Sequence, residues 1–194
     1  ETGILLAEAI RRSRLFSKFH VIDAKETIRA TVIGAGTYTT TISGSTITYA
    51  DGLFPMKNIP VLKLSETEEA ACWQGNSEGL KEKIRWFLKQ SDSTKIVLAV
   101  KGKKNPGYME LKTFAAALGD GMKMMLPDGE PFLFVVREDM AKALGQLLRQ
   151  KFSNERNIVV IDEICVEDNN FVDFGKPVMN GLVIPVVVKT LLFG

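Results

Sequence analysis

Side chains recur at helical spacing in several separate stretches of this chain. The first group shares one face of a helix predicted over about residues 3–16: Leu6, Ala9, Ile10 and Ser13. Three later apolar stripes predict three amphipathic helices: Leu80, Ile84, Phe87 and Leu88; Leu111, Phe114, Ala115, Leu118 and Met122; and Met140, Leu144, Leu147 and Leu148. A shorter helix is predicted to begin after Ser65, because Glu68 stands where it completes a capping box. The pattern therefore predicts five helices.

β-Branched residues predict a β-meander in the first part of the chain. Residues 27–35 (TIRATVIGA) predict its first strand, Thr37–Ser43 its second and residues 46–50 its third. Gly44 and Ser45 fit a two-residue hairpin turn between the last two strands. The corner between the first two strands consists of small residues, so its backbone is open to close approach.

Continuous apolar runs predict further strands later in the chain. Residues 95–100 and 131–137 have the composition of strands that are buried on both faces. Residues 157–166 and 181–193 predict two more strands. Residues 52–64 contain two prolines, which predict an irregular connection instead of a strand.

The order of these elements predicts an α/β fold with a mixed sheet. A three-strand meander is followed by alternating helices and strands, and the helices cover the sheet. This order is similar to that of the ribonuclease-H-like half from which actin-like and heat-shock-70-type ATPases are built. The likeness is one of element order, so it predicts a fold more directly than an activity.

Composition and charge restrict the classes of partner. Of the 194 residues, 45% are hydrophobic and 25% are charged, which is typical of a globular domain. The net charge of +2 is too small to predict nucleic acid or an anionic membrane as a partner. No apolar run reaches the roughly 20 residues of a membrane-spanning helix.

Candidate metal and thiol chemistry is sparse. Cys72 and Cys165 lie far apart in apolar stretches, which predicts two buried free thiols in a reducing cytoplasm. With His20 as the one histidine, no zinc site is expected. The tripeptide 173–175 (DFG) lacks the other kinase motifs, so it predicts a turn in which Asp173 caps the chain.

The glycine corner is a candidate anion site. Gly34 and Gly36 can adopt conformations closed to other residues, so that successive backbone N–H groups converge. Ala35 adds no bulk and Thr37 adds a hydroxyl donor, which suits a nucleotide phosphate. A plain β-turn is the alternative, because Gly-x-Gly alone is a weak signal.

The loop after the strand at 95–100 is a second candidate. In actin-like ATPases the corresponding strand ends in a glycine pair, Pro-Gly opens the next helix, and adenosine lies on that loop. Here the matching residues are Lys101, Gly102, Asn105 and Gly107, with one glycine of the pair retained. An ordinary strand-to-helix turn is the alternative.

Two stretches, 26–64 and 172–193, resemble the reactivating factors of ethanolamine ammonia-lyase, a family of chaperone-like ethanolamine-utilisation proteins. The resemblance implies the actin/heat-shock-70-type fold, with ATP and Mg²⁺ as cofactors and the lyase as partner. It implies ATP-dependent release of damaged cobalamin from the lyase in the cytoplasm, possible association with an ethanolamine microcompartment, and possible homo-oligomers. It also implies that residues 1–194 form the C-terminal, nucleotide-binding-type portion of a longer protein, with a leading helix and connection at 1–25 and a core at 26–194.

Two alternatives remain beside the reactivating factor. A small-molecule kinase of the same fold needs an Asp before the glycine corner, where this chain has Val32. Because valine binds no metal and accepts no proton, this portion alone is expected to be inactive in ATP hydrolysis. The other alternative is a scaffold domain that binds protein but no nucleotide.

Overall fold

The computed structural model describes residues 2–13, 18, 37–43, 53–91, 93–152, 156–178 and 183–190. The chain divides into two compact units, residues 1–34 and 35–194. In the first unit, helix α1 spans Thr2–Arg11, which confirms the predicted helix but ends it earlier. An i,i+4 ion pair between Glu8 and Arg12 lies on its exposed surface.

The second unit contains a mixed sheet of seven described strands: β1 (Thr37–Ser43), β2 (Met56–Lys63), β3 (Val97–Val100), β4 (Phe132–Val136), β5 (Ile158–Ile161), β6 (Asn170–Phe174) and β7 (Ile184–Thr190). Their order across the sheet is β1-β7-β6-β2-β3-β4-β5. Strands β2 to β5 run parallel, whereas β6, β7 and β1 are antiparallel to their neighbours. The predicted α/β class with a mixed sheet is therefore confirmed. Of the predicted meander, only the second strand falls within the described residues.

Four helices connect the parallel strands: α2 (Glu66–Trp73), α3 (Glu78–Gln90), α4 (Tyr108–Met125) and α5 (Ala141–Phe152). Because β2 to β5 follow one another in both chain and space, right-handed connections place these helices on the same face of the sheet. Ile84, Phe114 and Leu144 are fully buried against Leu98 and Phe134 of the strands. The stripes predicted for the three later amphipathic helices lie in this core or pack against it, whereas Leu6, Ala9 and Ile10 of the stripe predicted for α1 are exposed.

The opposite face of the sheet carries a second apolar cluster. Successive side chains of a strand point to opposite faces, so Val97 and Val159 lie on this side while Leu98 lies on the helical side. Val172 of β6 and Val186 of β7 belong to the same cluster. The antiparallel strands thus share this second core with the parallel ones.

Strand β2 corrects the prediction of an irregular connection at 52–64. Pro60 lies within the strand, but the register with β3 begins only at Val61. The register with β6 shifts between Met56 and Ile59. Proline has no N–H group to donate to a neighbouring strand. It is tolerated here because Pro60 lies beside a bulge and before the part of β2 that pairs with a strand on both sides.

Strand β6 corrects the prediction of a turn at 173–175. Asp173 and Phe174 pair with Val187 and Val186 of β7, so both residues are extended. The pairing with the segment of β7 extends one residue further, because the Gly175 N–H donates to the Pro185 carbonyl at 2.8 Å. Pairing between distant segments, which the tripeptide does not reveal, decides this conformation.

Candidate functional site

A cleft of about 410 Å³ lies at the carboxyl ends of β2, β3 and β4. Its charged lining comes from the end of β2 and start of α2, the loop after β3, the residue after β4, and Glu167. The remaining wall is residues 164–167, which belong to the segment 162–169; we call this segment the connector because it joins β5 to β6. Open α/β sheets bind ligands at this edge, and the volume is within the usual range for small molecules.

The connector is held across the strand ends by polar contacts. The Lys63 N–H donates to Asp168 Oδ1 at 2.9 Å, and Lys63 Nζ pairs with Glu167 at 2.5 Å. On its other side, the Ile164 N–H donates to the Val136 carbonyl at 3.4 Å. The predicted strand over 157–166 therefore stops at Ile161, and the rest forms a wall of the cleft.

A buried carboxylate occupies the floor of the cleft. Glu69 of α2 is only 6% exposed. Its two oxygens accept the backbone N–H groups of Lys101 and Gly102, each at 2.8 Å, and one also accepts the indole N–H of Trp73 at 3.3 Å. Gly102 has a positive φ of 82°, which lets two successive amides face one acceptor. These amides form an anion nest, and Glu69 is the anion.

The same loop is fixed to α2 and α4 at its far side. Lys103 Nζ lies 4.4 Å from the centre of the Trp73 ring, which stacks on Phe114 at 3.9 Å. Glu110 accepts the Gly107 N–H at 3.0 Å. This hydrogen bond and the nearby Lys103 lower the pKa of Glu110 below its ordinary value. The loop is consequently a preorganised element of the site.

The first predicted site lies almost wholly outside the described residues. Residues 34–36 are among those not described, whereas Thr37 begins β1 and pairs with Thr190 of β7. Strands β7, β6 and β2 separate β1 from β3 in the sheet. The phosphate contact expected at this corner stays a prediction.

The second predicted site lines or adjoins the cleft. Lys101 lines the cleft and Gly102 follows it in the anion nest. Asn105 adopts a positive φ of 50°, and Gly107 precedes the first residue of α4. The adenosine contact expected of these four residues stays a prediction, although the N–H groups of Lys101, Gly102 and Gly107 already have carboxylate acceptors.

Among the cleft residues that sequence reasoning did not identify, Glu69, Arg137 and Cys165 are the most informative. The role of Glu69 could not be predicted, because the two backbone N–H groups that it binds are more than thirty positions away. Arg137 follows a buried strand directly, which is a usable signal for a residue at the ligand-binding edge. Cys165 was expected to be buried, but it is exposed because β5 ends before it; Cys72 is buried as predicted.

Metal and membrane sites were also sought within the described ranges. There, no cluster of three or more His, Cys, Asp or Glu side chains is arranged to hold a metal ion. None of the helices described is long and apolar enough to span a membrane.

These features define an α/β protein with a ligand-sized cleft at the carboxyl ends of its parallel strands. The family model of the ethanolamine utilisation protein EutA matches residues 1–194, and the chain belongs to that family. It is 34% identical over 194 residues to the ethanolamine ammonia-lyase reactivase EutA of Escherichia coli (strain K12). It is also 34% identical over 198 residues to the protein of the same name from Salmonella typhimurium (strain LT2). The predicted family resemblance is confirmed.

The match covers the whole of this chain but about 40% of the length of each of these relatives. No solved structure matches the chain.

Proposed function

We propose that this chain is part of a reactivating factor for ethanolamine ammonia-lyase. The observation that carries the proposal is the match of the family model to all 194 residues. Two relatives that bear the name ethanolamine ammonia-lyase reactivase support it, since each aligns with the whole chain. The lyase is accordingly the proposed protein partner.

The proposed activity is an ATP-dependent release of damaged cobalamin from the inactivated lyase in the cytoplasm, after which intact adenosylcobalamin enters. The longer protein would supply the rest of an actin/heat-shock-70-type fold, with Mg²⁺ accompanying the nucleotide. The described part of the second loop does not fit a phosphate as it stands, because Glu69 occupies the N–H groups of Lys101 and Gly102. No nucleotide-dependent step is therefore assigned to these two residues.

The experiment is a reactivation assay with the full-length protein. Lyase inactivated with a damaged cobalamin is mixed with the protein, adenosylcobalamin, ATP and Mg²⁺, and the return of ethanolamine deamination is followed. We expect activity to return with ATP and to stay low without it. A Gly36→Glu variant, which puts a carboxylate into the predicted phosphate corner, should lose the ATP-dependent part. The Lys142→Ala variant, changed at an exposed position of α5, should keep it.

A return of activity that is equal with and without the added protein would overturn the proposed function. If the return of activity needs the protein but not ATP, the lyase remains the proposed partner and the proposed role of the nucleotide is wrong.

A scaffold domain that binds no nucleotide is the second candidate, and the occupied anion nest favours it. Two N–H groups that a nucleotide site would use are already bonded to Glu69. Thermal unfolding of the full-length protein with ATP and Mg²⁺ separates the two candidates. A ligand that binds the native state raises the midpoint, and the rise grows with the logarithm of the ligand concentration above Kd, whereas a scaffold leaves the midpoint unchanged.

A further inference from the structure

The carboxylates that line the cleft all have donors or cations beside them. Glu66 pairs with Lys101 at 3.4 Å, and Glu167 pairs with Lys63 at 2.5 Å. Glu69 is bound by the backbone amides of the anion nest. Glu66 and Glu167 thus have lysine counter-ions, and Glu69 is held by neutral N–H groups.

Arg137 is different from the other charged residues of the cleft. Its guanidinium has no hydrogen-bond or ion-pair partner within the described part of the chain, and the residue is exposed. Its backbone is fixed, because the Arg137 N–H donates to the Val100 carbonyl at 3.1 Å. A guanidinium presents a planar fork of donors that matches a carboxylate or phosphate group with two parallel hydrogen bonds.

The anion nest cannot accept such a ligand while Glu69 remains in place. The Lys101 and Gly102 amides face a buried carboxylate at 2.8 Å, so a second anion there would meet a like charge at close range. An incoming anion can therefore bind the Arg137 guanidinium, which lies on the neighbouring strand end and has no side-chain partner among the described residues.

We propose that the cleft binds a small anionic molecule and that Arg137 contacts its carboxylate or phosphate group. This site differs from the predicted nucleotide loop, since it uses the residue after β4 and leaves the anion nest to Glu69. The inference does not depend on reactivation of the lyase. A phosphate group can come from inorganic phosphate or from a nucleotide, so the ligands tested must distinguish these sources.

The test is isothermal titration calorimetry of the 194-residue chain with inorganic phosphate, acetate and ATP, each titrated separately. We expect at least one of the three to bind, and we expect Arg137→Ala to weaken that binding about tenfold or more. Arg137→Lys should retain part of the affinity, because an ammonium keeps the charge but loses the fork. Arg85→Ala, which removes an exposed arginine from α3, should bind as the unchanged chain does.

A second variant separates the two anion positions. Glu69→Gln removes the negative charge from the nest while keeping a similar shape. If Glu69→Gln strengthens binding and Arg137→Ala has no effect, the anion enters the nest and the proposal is wrong. Binding of none of the three ligands, or equal binding by Arg137→Ala, also overturns it. The lyase assay is independent of each of these results, so failure here leaves the proposed function standing.

Discussion

Lys189 Nζ lies 2.5 Å from the carboxylate of Asp173, across the neighbouring strands β7 and β6. Both groups also contact Asn58 of β2. Lys189 Nζ donates to Asn58 Oδ1 at 2.7 Å, and the Asn58 backbone N–H donates to Asp173 Oδ1 at 2.7 Å. The Lys189 side chain is 10% exposed and that of Asp173 is 19% exposed. This ion pair therefore joins three strands largely out of contact with water.

Breaking this pair should destabilise the fold strongly. Lys189→Ala leaves the Asp173 carboxylate without its counter-ion in a mostly buried position, for which we expect a loss of about 3 kcal/mol in the free energy of unfolding. Urea denaturation measures the loss. Lys151→Ala is the matched control, because it breaks the exposed pair with Asp120, and a loss below about 1 kcal/mol is expected. Similar small losses in both variants would contradict the role of the Lys189 pair.

The capping box of α2 predicts a pH-dependent contribution to stability. Glu68 accepts hydrogen bonds from the Ser65 N–H at 2.7 Å and from Lys83 Nζ at 3.0 Å. Partial burial acts to raise the pKa of Glu68, but the bonds to Ser65 and Lys83 outweigh it and the pKa is lowered. A lowered carboxyl pKa in the folded state gives stability that is present above the unfolded pKa. That stability is lost as the pH falls through the folded pKa.

The direction of this pH dependence is tested by comparing the stability of the unchanged chain with that of Glu68→Gln over a range of pH. The unchanged chain should be more stable by a constant amount above about pH 5, and the difference should shrink below about pH 4. The free energy of unfolding in urea, measured at each pH, gives the difference. Glu82→Gln, at an exposed position of α3, controls for the general effect of removing a carboxylate. A difference for Glu68→Gln that persists unchanged to pH 2 would contradict the argument.

Local patterns were sufficient for most helices and for the central strands. Leu111, Phe114 and Leu118 recur at helical spacing, and all three are buried because that spacing keeps them on the face towards the sheet. The capping box at Ser65 was predictable for the same reason, since its partners are three residues apart. Both features depend on residues that are close together along the chain, so a single sequence is enough to predict them.

Contacts between distant segments account for what the sequence did not reveal. Pro60 was evidence against a strand until its place beside a register shift was known. Asp173 is extended because β7 and β2 supply partners from elsewhere in the chain. The anion nest depends on Glu69 reaching a loop more than thirty residues away. No local period encodes such a pairing, so the occupied state of this loop emerged only from the structure.

Gly102 should be intolerant of a side chain. Its φ is +82°, and a Cβ atom would lie 2.6 Å from Met140 Sδ and 3.0 Å from Val136 Cγ1. Gly102→Ala combines backbone strain with overpacking, so we expect a loss of about 3 kcal/mol in unfolding free energy. Gly129→Ala is the matched control: its φ is +87°, but nothing lies within 4 Å of the new Cβ. Only the strain of about 1–2 kcal/mol is expected there.

Chemical denaturation of the two glycine variants measures both losses in unfolding free energy. Equal losses would mean that Met140 moves aside without cost and that the close packing beneath the anion nest is unimportant.

The two cysteines should differ sharply in reactivity. Cys165 is exposed at the cleft, whereas Cys72 is fully buried in α2. Burial, with the nearby carboxylates of Glu69 and Glu68, raises the pKa of Cys72 to about 11. Because the thiolate is the reactive form, about one Cys72 thiol in a thousand is ionised at pH 8, and burial blocks access even to that fraction.

We therefore expect Ellman's reagent at pH 8 to find one fast thiol in the native chain and two after unfolding in urea. Cys165→Ser should remove the fast thiol, and Cys72→Ala should leave it. The conservative variant Cys72→Ser keeps a small polar group in the core, so its fast thiol should match that of Cys72→Ala if both remain folded by circular dichroism. Two fast thiols in the folded chain would show that α2 opens readily, and would contradict the firm attachment of its Glu69 to the loop after β3.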